Sequence, residues 1–223
     1  SAAQLRDVVI PSINEGLRCL HASGILHCDI KPSNLFFSGN RTRVVIGDCG
    51  VSAYTNAQGK LIDAVRGTPE YAPRVKALLW SAALSPAYDY GSFGLVLCKL
   101  ATGHSMFEGM PIEEIAAAWE QGLQLPPSIE GRMRTLVQGL LLEDEERRWG
   151  YEQVKRWCEG EFVSSGWTRS RPKPRPEKRP LIFGRFDGAL VSAETLPQLA
   201  KAIRAHWNRA EELVTRRELA DFI

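Results

Sequence analysis

The densest chemistry in the sequence lies in His27-Cys28-Asp29-Ile30-Lys31-Pro32-Ser33-Asn34, followed downstream by Asp48-Cys49-Gly50. Asp29 is a carboxylate that can orient or deprotonate a hydroxyl nucleophile. Lys31, two residues on, can neutralise charge on a transferring phosphoryl group. Asn34 and Asp48 add an amide and a carboxylate oxygen, the hard ligand type that Mg²⁺ requires. Together the four suit phosphoryl transfer, in which a protein mostly positions groups and stabilises charge.

These residues need rigid elements on either side, because catalytic groups sit on loops held by a scaffold. Upstream, Leu5, Val8, Val9, Ile13, Leu17 and Leu20 recur at three- and four-residue spacing. They predict a helix over 2–23, with Pro11 as a kink site and Gly24 as its stop. Downstream, the apolar runs 35–37 and 44–46 flank Ser38-Gly39-Asn40 and predict a β-hairpin that delivers Asp48 at its end. From about residue 86 the chain reads as helical. Residues 94–101 are densely apolar, 113–121 form a short helix behind Pro111, 129–142 are amphipathic and 152–158 form another short helix.

The chain has 28 Lys+Arg against 26 Asp+Glu, a balance that argues against a dedicated nucleic-acid binder. Its 44% hydrophobic content supports a sizeable core. The longest apolar runs, such as Leu95-Val96-Leu97-Cys98, are too short to span a bilayer, and residues 1–9 lack the basic and apolar regions of a signal peptide. Five cysteines without a CxxC pair suit a reducing, cytoplasmic setting and give no zinc pattern. His27 reads as a packed, hydrogen-bonded structural histidine, His104 and His206 as surface residues, and Trp119, Trp149, Trp157 and Trp167 as core or half-buried anchors.

Three regions are expected. Residues 1–160 form the main domain. Residues 161–180 alternate Pro with Arg and Lys, the composition of an extended linker. Residues 181–223 read as a small hairpin-plus-helix appendage, with Asp187-Gly188 as a two-residue turn and Thr195 with Gln198 as a capping box.

The motif His27-x-Asp29-x-Lys31-Pro32-x-x-Asn34 resembles the catalytic loop H-R-D-x-K-x-x-N of eukaryotic-type protein kinases, and Asp48-Cys49-Gly50 resembles their D-F-G. Further landmarks follow in family order. Gly67-Thr68-Pro69-Glu70-Tyr71-Ala72-Pro73 is similar to the segment closing the activation loop, one residue shorter here. Asp89-Tyr90-Gly91-Ser92-Phe93-Gly94 is similar to the D-x-W-S-x-G that opens the buried central helix. Asp144 to Trp149 is similar to the late D-P-x-x-R-W, with Arg148 at its arginine. The resemblance implies a mainly α (α+β) fold, the large lobe of a protein kinase with short hairpins. It implies ATP and Mg²⁺ as cofactors and a protein substrate offering a Ser or Thr hydroxyl. Asp29 would be the catalytic base, Lys31 the γ-phosphate contact, and Asn34 and Asp48 the metal ligands. Phe36 would lie under the adenine, Thr68 would tie the substrate loop to Asp29, and Asp89 would hold the catalytic-loop backbone.

The sequence departs from the family at several points. Cys28 stands for the arginine that holds an activation-loop phosphate in many members. Cys49 stands for the phenylalanine of D-F-G and is expected to act as a smaller apolar plug. Arg74 stands for a glutamate that pairs with the arginine at Arg148, so Asp144 or Glu145 becomes the candidate partner. Gly91 stands for tryptophan and is expected to loosen that region. Before residue 27 there are only two glycines, Gly16 and Gly24, and the first lysine is Lys31, so no Gly-rich phosphate loop precedes the catalytic loop. The 223 residues are thus expected to lack the small lobe, to transfer no phosphate alone, and to need a partner or segment that supplies it. The competing expectation is a pseudokinase or lobe-only interaction module.

Overall fold

A computed structural model describes residues 1–50, 52–54, 61–63, 67–73, 82–167, 181–186, 189–193, 201 and 204–205. The chain divides into two compact units, Ser1–Arg171 and Pro172–Ile223.

The first unit opens with α1 (Ala2–Gln4), a π-helical turn (Leu5–Val9) and α2 (Ile10–Ala22). Pro11 lies in the first turn of α2, where its missing N–H costs little. The widened turn just before it takes up the misfit that the sequence predicted as a kink. Ile10, Ile13, Asn14 and Leu17 are the buried face of α2.

The catalytic-type loop follows β1 (Ile25–Leu26). A 3₁₀ turn (Pro32–Asn34) then leads into the hairpin of β2 (Leu35–Phe37) and β3 (Val44–Ile46), the strands predicted from sequence. Two antiparallel pairings were not predicted: β1 with β4 (Ala53–Tyr54), and β5 (Leu61–Asp63) with β6 (Ala82–Leu84). The 3₁₀ turn Pro69–Tyr71 lies between β5 and β6 in sequence.

The long helix α3 (Pro86–Thr102) runs through the core, with Tyr88 to Cys98 all buried. A helix apolar on every side must be buried on every side. At Gly94 an added Cβ would lie 2.9 Å from Leu140 Cβ and 2.8 Å from Leu141 Cδ2, so glycine permits the close crossing of α5 (Gly131–Leu140). The helices α4 (Ile112–Gln121) and α6 (Tyr151–Cys158) complete the unit. The latter is capped by the Gln153 side chain, which accepts from Gly150 N at 3.1 Å.

Polar links tie the helices together. Asn14 donates to Tyr151 O at 3.1 Å and accepts from Tyr90 Oη at 3.1 Å, joining α2, α3 and α6. Trp119, Trp149 and Trp157 are buried as expected of core anchors.

In the second unit β7 (Leu181–Phe186) pairs antiparallel with β8 (Ala189–Ala193), as the hairpin pattern predicted, with a register shift between Ile182 and Gly184. The turn Asp187-Gly188, the capping box at Thr195 and His206 lie outside the described residues. Among the described residues no helix is long and apolar enough to cross a membrane.

Candidate active site

The loop between β1 and the Pro32–Asn34 turn is fixed by one buried carboxylate. Asp89, in the first turn of α3 and fully buried, accepts from the backbone N–H of His27 and of Cys28, each at 2.9 Å. His21, at the end of α2, approaches the same carboxylate with Nε2 at 2.8 Å. These bonds hold Cys28 at φ +67, a left-handed conformation that costs a non-glycine residue energy. The sequence assigned Asp89 this structural place, whereas His21 was missed. Its only signal is the helical spacing that puts it four residues past Leu17, on the buried face of α2.

His27 uses both ring nitrogens. Nδ1 accepts from Asp29 N at 3.3 Å, so Nε2 carries the proton and donates to Gly47 O at 3.1 Å. The histidine therefore stitches the catalytic-type loop to the residue preceding Asp48, which supports its structural assignment.

Asp29, Lys31 and Thr68 converge. Lys31 Nζ lies 2.6 Å from Asp29 Oδ2 and donates to Thr68 Oγ1 at 2.9 Å. Thr68 donates to Asp29 Oδ1 through its hydroxyl at 2.8 Å and its backbone N–H at 3.0 Å. Burial raises the Asp29 pKa, but the bonds from Lys31 and Thr68 and the lysine charge outweigh it, so the carboxyl titrates below its ordinary value. Asp29 is consequently an ionised acceptor at neutral pH.

Asn34 is buried beneath Asp29. Its Nδ2 donates to Asp29 O at 2.9 Å and lies 3.4 Å from Asp29 Oδ2. Committing the nitrogen this way fixes the amide orientation and leaves Oδ1 as the oxygen-bearing side. The Asn34 carbonyl accepts from Gly47 N at 2.9 Å, which joins it to the strand end that delivers Asp48. Asp48 is exposed, at φ +59, with Oδ1 accepting from Gly50 N at 3.3 Å. An oriented amide oxygen and an exposed carboxylate, linked by one backbone bond, fit a magnesium site in donor chemistry. Phe36 stands 54% exposed on β2, opposite Val45, which is 46% exposed.

Within residues 1–223 Cys49 is exposed. One expectation is corrected. Gly91 does not loosen its surroundings: an added Cβ would lie 2.6 Å from Pro73 Cβ and 3.1 Å from Arg148 Nη1, so the position is tightly packed. Arg148 is buried and donates to Leu142 O and Ala87 O, each at 2.9 Å, with Glu145 Oε1 at 3.8 Å. Glu145, one of the two acids anticipated, is thus in ion-pair range. Arg74 lies outside the described residues.

Comparison with known proteins agrees with this geometry. A family model for the protein kinase domain matches residues 2–157. Mouse inactive serine/threonine-protein kinase PLK5 is 31% identical over 170 residues, covering 75% of this chain and 27% of that protein. Serine/threonine-protein kinase stk11 of Xenopus laevis is 29% identical over 171 residues, covering 75% and 37%. AfsK of Streptomyces coelicolor, a serine/threonine-protein kinase, is 31% identical over 134 residues, covering 58% and 16%. The chain therefore spans well under half the length of these relatives. With the family model matched over most of its length, the chain belongs to the eukaryotic-type serine/threonine protein kinase family.

Proposed function

We propose that this chain carries the catalytic half-site of an ATP- and Mg²⁺-dependent serine/threonine protein kinase. The observation that carries the reading is the double contact of Thr68 with Asp29, closed by Lys31. Asp29 is held ionised with one edge on Thr68, beside the segment over which an acceptor peptide would pass. Its carboxylate would orient the Ser or Thr hydroxyl and receive its proton as the oxygen attacks the γ-phosphorus. Lys31 would offset the negative charge that develops on the phosphoryl oxygens. Asn34 and Asp48 would hold the metal, whose chemistry is to neutralise phosphate charge. Phe36 would supply an apolar surface for the adenine.

ATP binds kinases between two lobes, so a small lobe in the same protein, or a partner supplying it, is part of this reading. Residues 1–223 alone would be silent in turnover. A cytoplasmic setting fits a protein that consumes ATP. Calorimetric titration of the chain with ATP, with and without Mg²⁺, tests the half-site. Metal-dependent heat that disappears in Asp48→Ala supports it, and heat indifferent to both metal and Asp48 refutes it.

A second reading, a pseudokinase serving as an interaction module, draws on the similarity to a mouse relative whose name marks it inactive. The retention of Asp29, Lys31, Asn34 and Asp48 favours the enzyme, since a scaffold has no physical need for all four.

A further inference from the structure

The strand pair β5–β6 has no part in the proposed phosphoryl transfer. Its backbones run antiparallel, with Leu61 opposite Leu84, Ile62 opposite Ala83 and Asp63 opposite Ala82. The two strands hold different places in the chain. β6 leads straight into α3: Leu84 is fully buried, Ser85 is the N-cap residue, and Tyr88 N donates to Ser85 O at 2.9 Å. The next residue, Asp89, accepts from His27 N and Cys28 N at 2.9 Å each. β6 is therefore fixed to the same helix turn that fixes the loop of Asp29. β5 lies in the chain between β4 and Thr68.

The pairing shortens the tether on Thr68. Extended chain spans at most about 3.3–3.6 Å per residue, which allows about 46–50 Å from Tyr54, the end of β4, to Thr68, but only about 17–18 Å from Asp63, the end of β5. A shorter tether raises the effective concentration of Thr68 at Asp29. The seat itself is a pair of bonds to Asp29 Oδ1, from Thr68 N at 3.0 Å and Thr68 Oγ1 at 2.8 Å. Position 28 presents a buried thiol rather than a guanidinium, so a phosphate on this segment would gain no bidentate clasp there.

We propose that the β5–β6 ribbon is a strap that positions the acceptor-binding segment: pairing of Leu61–Asp63 with Ala82–Leu84 ties the chain upstream of Thr68 to the foot of α3, and this keeps Thr68 on Asp29 without any phosphate. The ribbon, Thr68, Asp29 and the Asp89 carboxylate on α3 close into one ring of contacts. Opening the ribbon breaks that ring. The upstream arm then runs back to β4, and Thr68 leaves the carboxylate more often. The meaning for substrate binding rests on the kinase reading, but the mechanical coupling does not.

The test is amide hydrogen exchange on the full 223-residue chain, shown by mass to be unphosphorylated, comparing wild type, Ile62→Pro and Asp63→Pro. Successive residues of an antiparallel ladder point their N–H toward and away from the partner strand. One proline must therefore delete a ladder bond, while the other deletes an outward N–H that an edge strand can spare. The Thr68 amide reads the seat directly, because it donates to Asp29. Wild type is expected to protect Thr68. The proline that deletes the ladder bond is expected to speed Thr68 exchange about tenfold or more while the α3 and α5 amides change far less. An unprotected Thr68 in wild type, unchanged exchange in both variants, or a rise matched across α3 and α5 would overturn the proposal. In a form that turns over, the same proline variant is expected to raise KM for a Ser/Thr peptide more than it lowers kcat, and a fall in kcat alone would also overturn it. If the exchange pattern is found and a complemented wild type never transfers phosphate, the kinase reading fails and the strap stands. If phosphate is transferred and Thr68 ignores both prolines, the strap fails and the kinase reading stands.

Discussion

Replacing Asp89 by Asn should unfasten the catalytic loop while changing the side chain by a single polar group. The carboxylate accepts three contacts: Cys28 N on Oδ1, and His27 N with His21 Nε2 on Oδ2. An amide can present oxygen to only one of these sides. Its NH₂ then faces at least one backbone N–H, donor against donor, in a site closed to water. Bonds to charged groups are each worth about 1.5–3 kcal/mol, and leaving a buried donor unsatisfied costs about 1–3 kcal/mol. The left-handed Cys28, at φ +67, stores about 1–3 kcal/mol more that these bonds now hold in place. The expected destabilisation is about 3–5 kcal/mol, the range for breaking a buried polar network from one side. With a urea m-value of about 2 kcal/mol/M, the unfolding midpoint should fall by about 1.5–2.5 M at unchanged m. Should Asp89→Asn fail to fold, His21→Ala gives a smaller version, about 1–2 kcal/mol, because it removes one contact and leaves both backbone bonds. A midpoint within about 0.2 M of wild type in Asp89→Asn would refute the reasoning.

Other expectations follow from the same geometry. Burial and the neighbouring Asp89 charge push the Cys28 thiol up to about 12, and burial pushes Cys98 up to about 12 as well, whereas Cys19 and Cys49 are exposed; alkylation at pH 8 read by peptide mass should mark Cys19 and Cys49 well before Cys28 and Cys98. Because the Asp29 pKa is lowered in the folded chain, its contribution to stability is present above the ordinary carboxylate value of about 3.9 and is lost as pH falls below it; Asp29→Asn should therefore show a flatter acid limb below about pH 4 in pH-dependent unfolding. Cys28 offers no guanidinium for an activation-segment phosphate, so replacing Ser52, Tyr54 and Thr55 together by Ala in an active form should leave most of the kinase activity; its loss in a phosphotransfer assay would contradict this.

The local elements were legible in the sequence because their signals are local. The β2–β3 hairpin follows from two apolar runs and one turn, and α3 from a run of apolar residues behind Pro86. Helix ends shifted by a residue or two where capping decides: Ile129 reads as part of α5 by periodicity, yet the helix starts at Gly131 behind Glu130. The pairings β1–β4 and β5–β6 were not legible, since two- and three-residue strands carry no periodicity and their partners lie far along the chain. In the site, the order of motifs along the chain singles out Asp29, Lys31, Asn34, Asp48, Thr68 and Asp89. It could not name His21, whose role depends on where α2 crosses α3. Gly91 misled for the same reason: an absent side chain reads as looseness in sequence, while in three dimensions the space is filled by Pro73 and Arg148.

The most direct measurement is transfer of labelled γ-phosphate from ATP to a Ser/Thr peptide by this chain joined to a small lobe, in cis or in trans, comparing wild type with Asp29→Asn. Transfer that requires Mg²⁺ and falls at least about a hundredfold in Asp29→Asn is the expected result. Transfer that survives the substitution, or its absence in a complemented wild type that binds ATP and Mg²⁺, would contradict the assignment of Asp29 as the acceptor-orienting base.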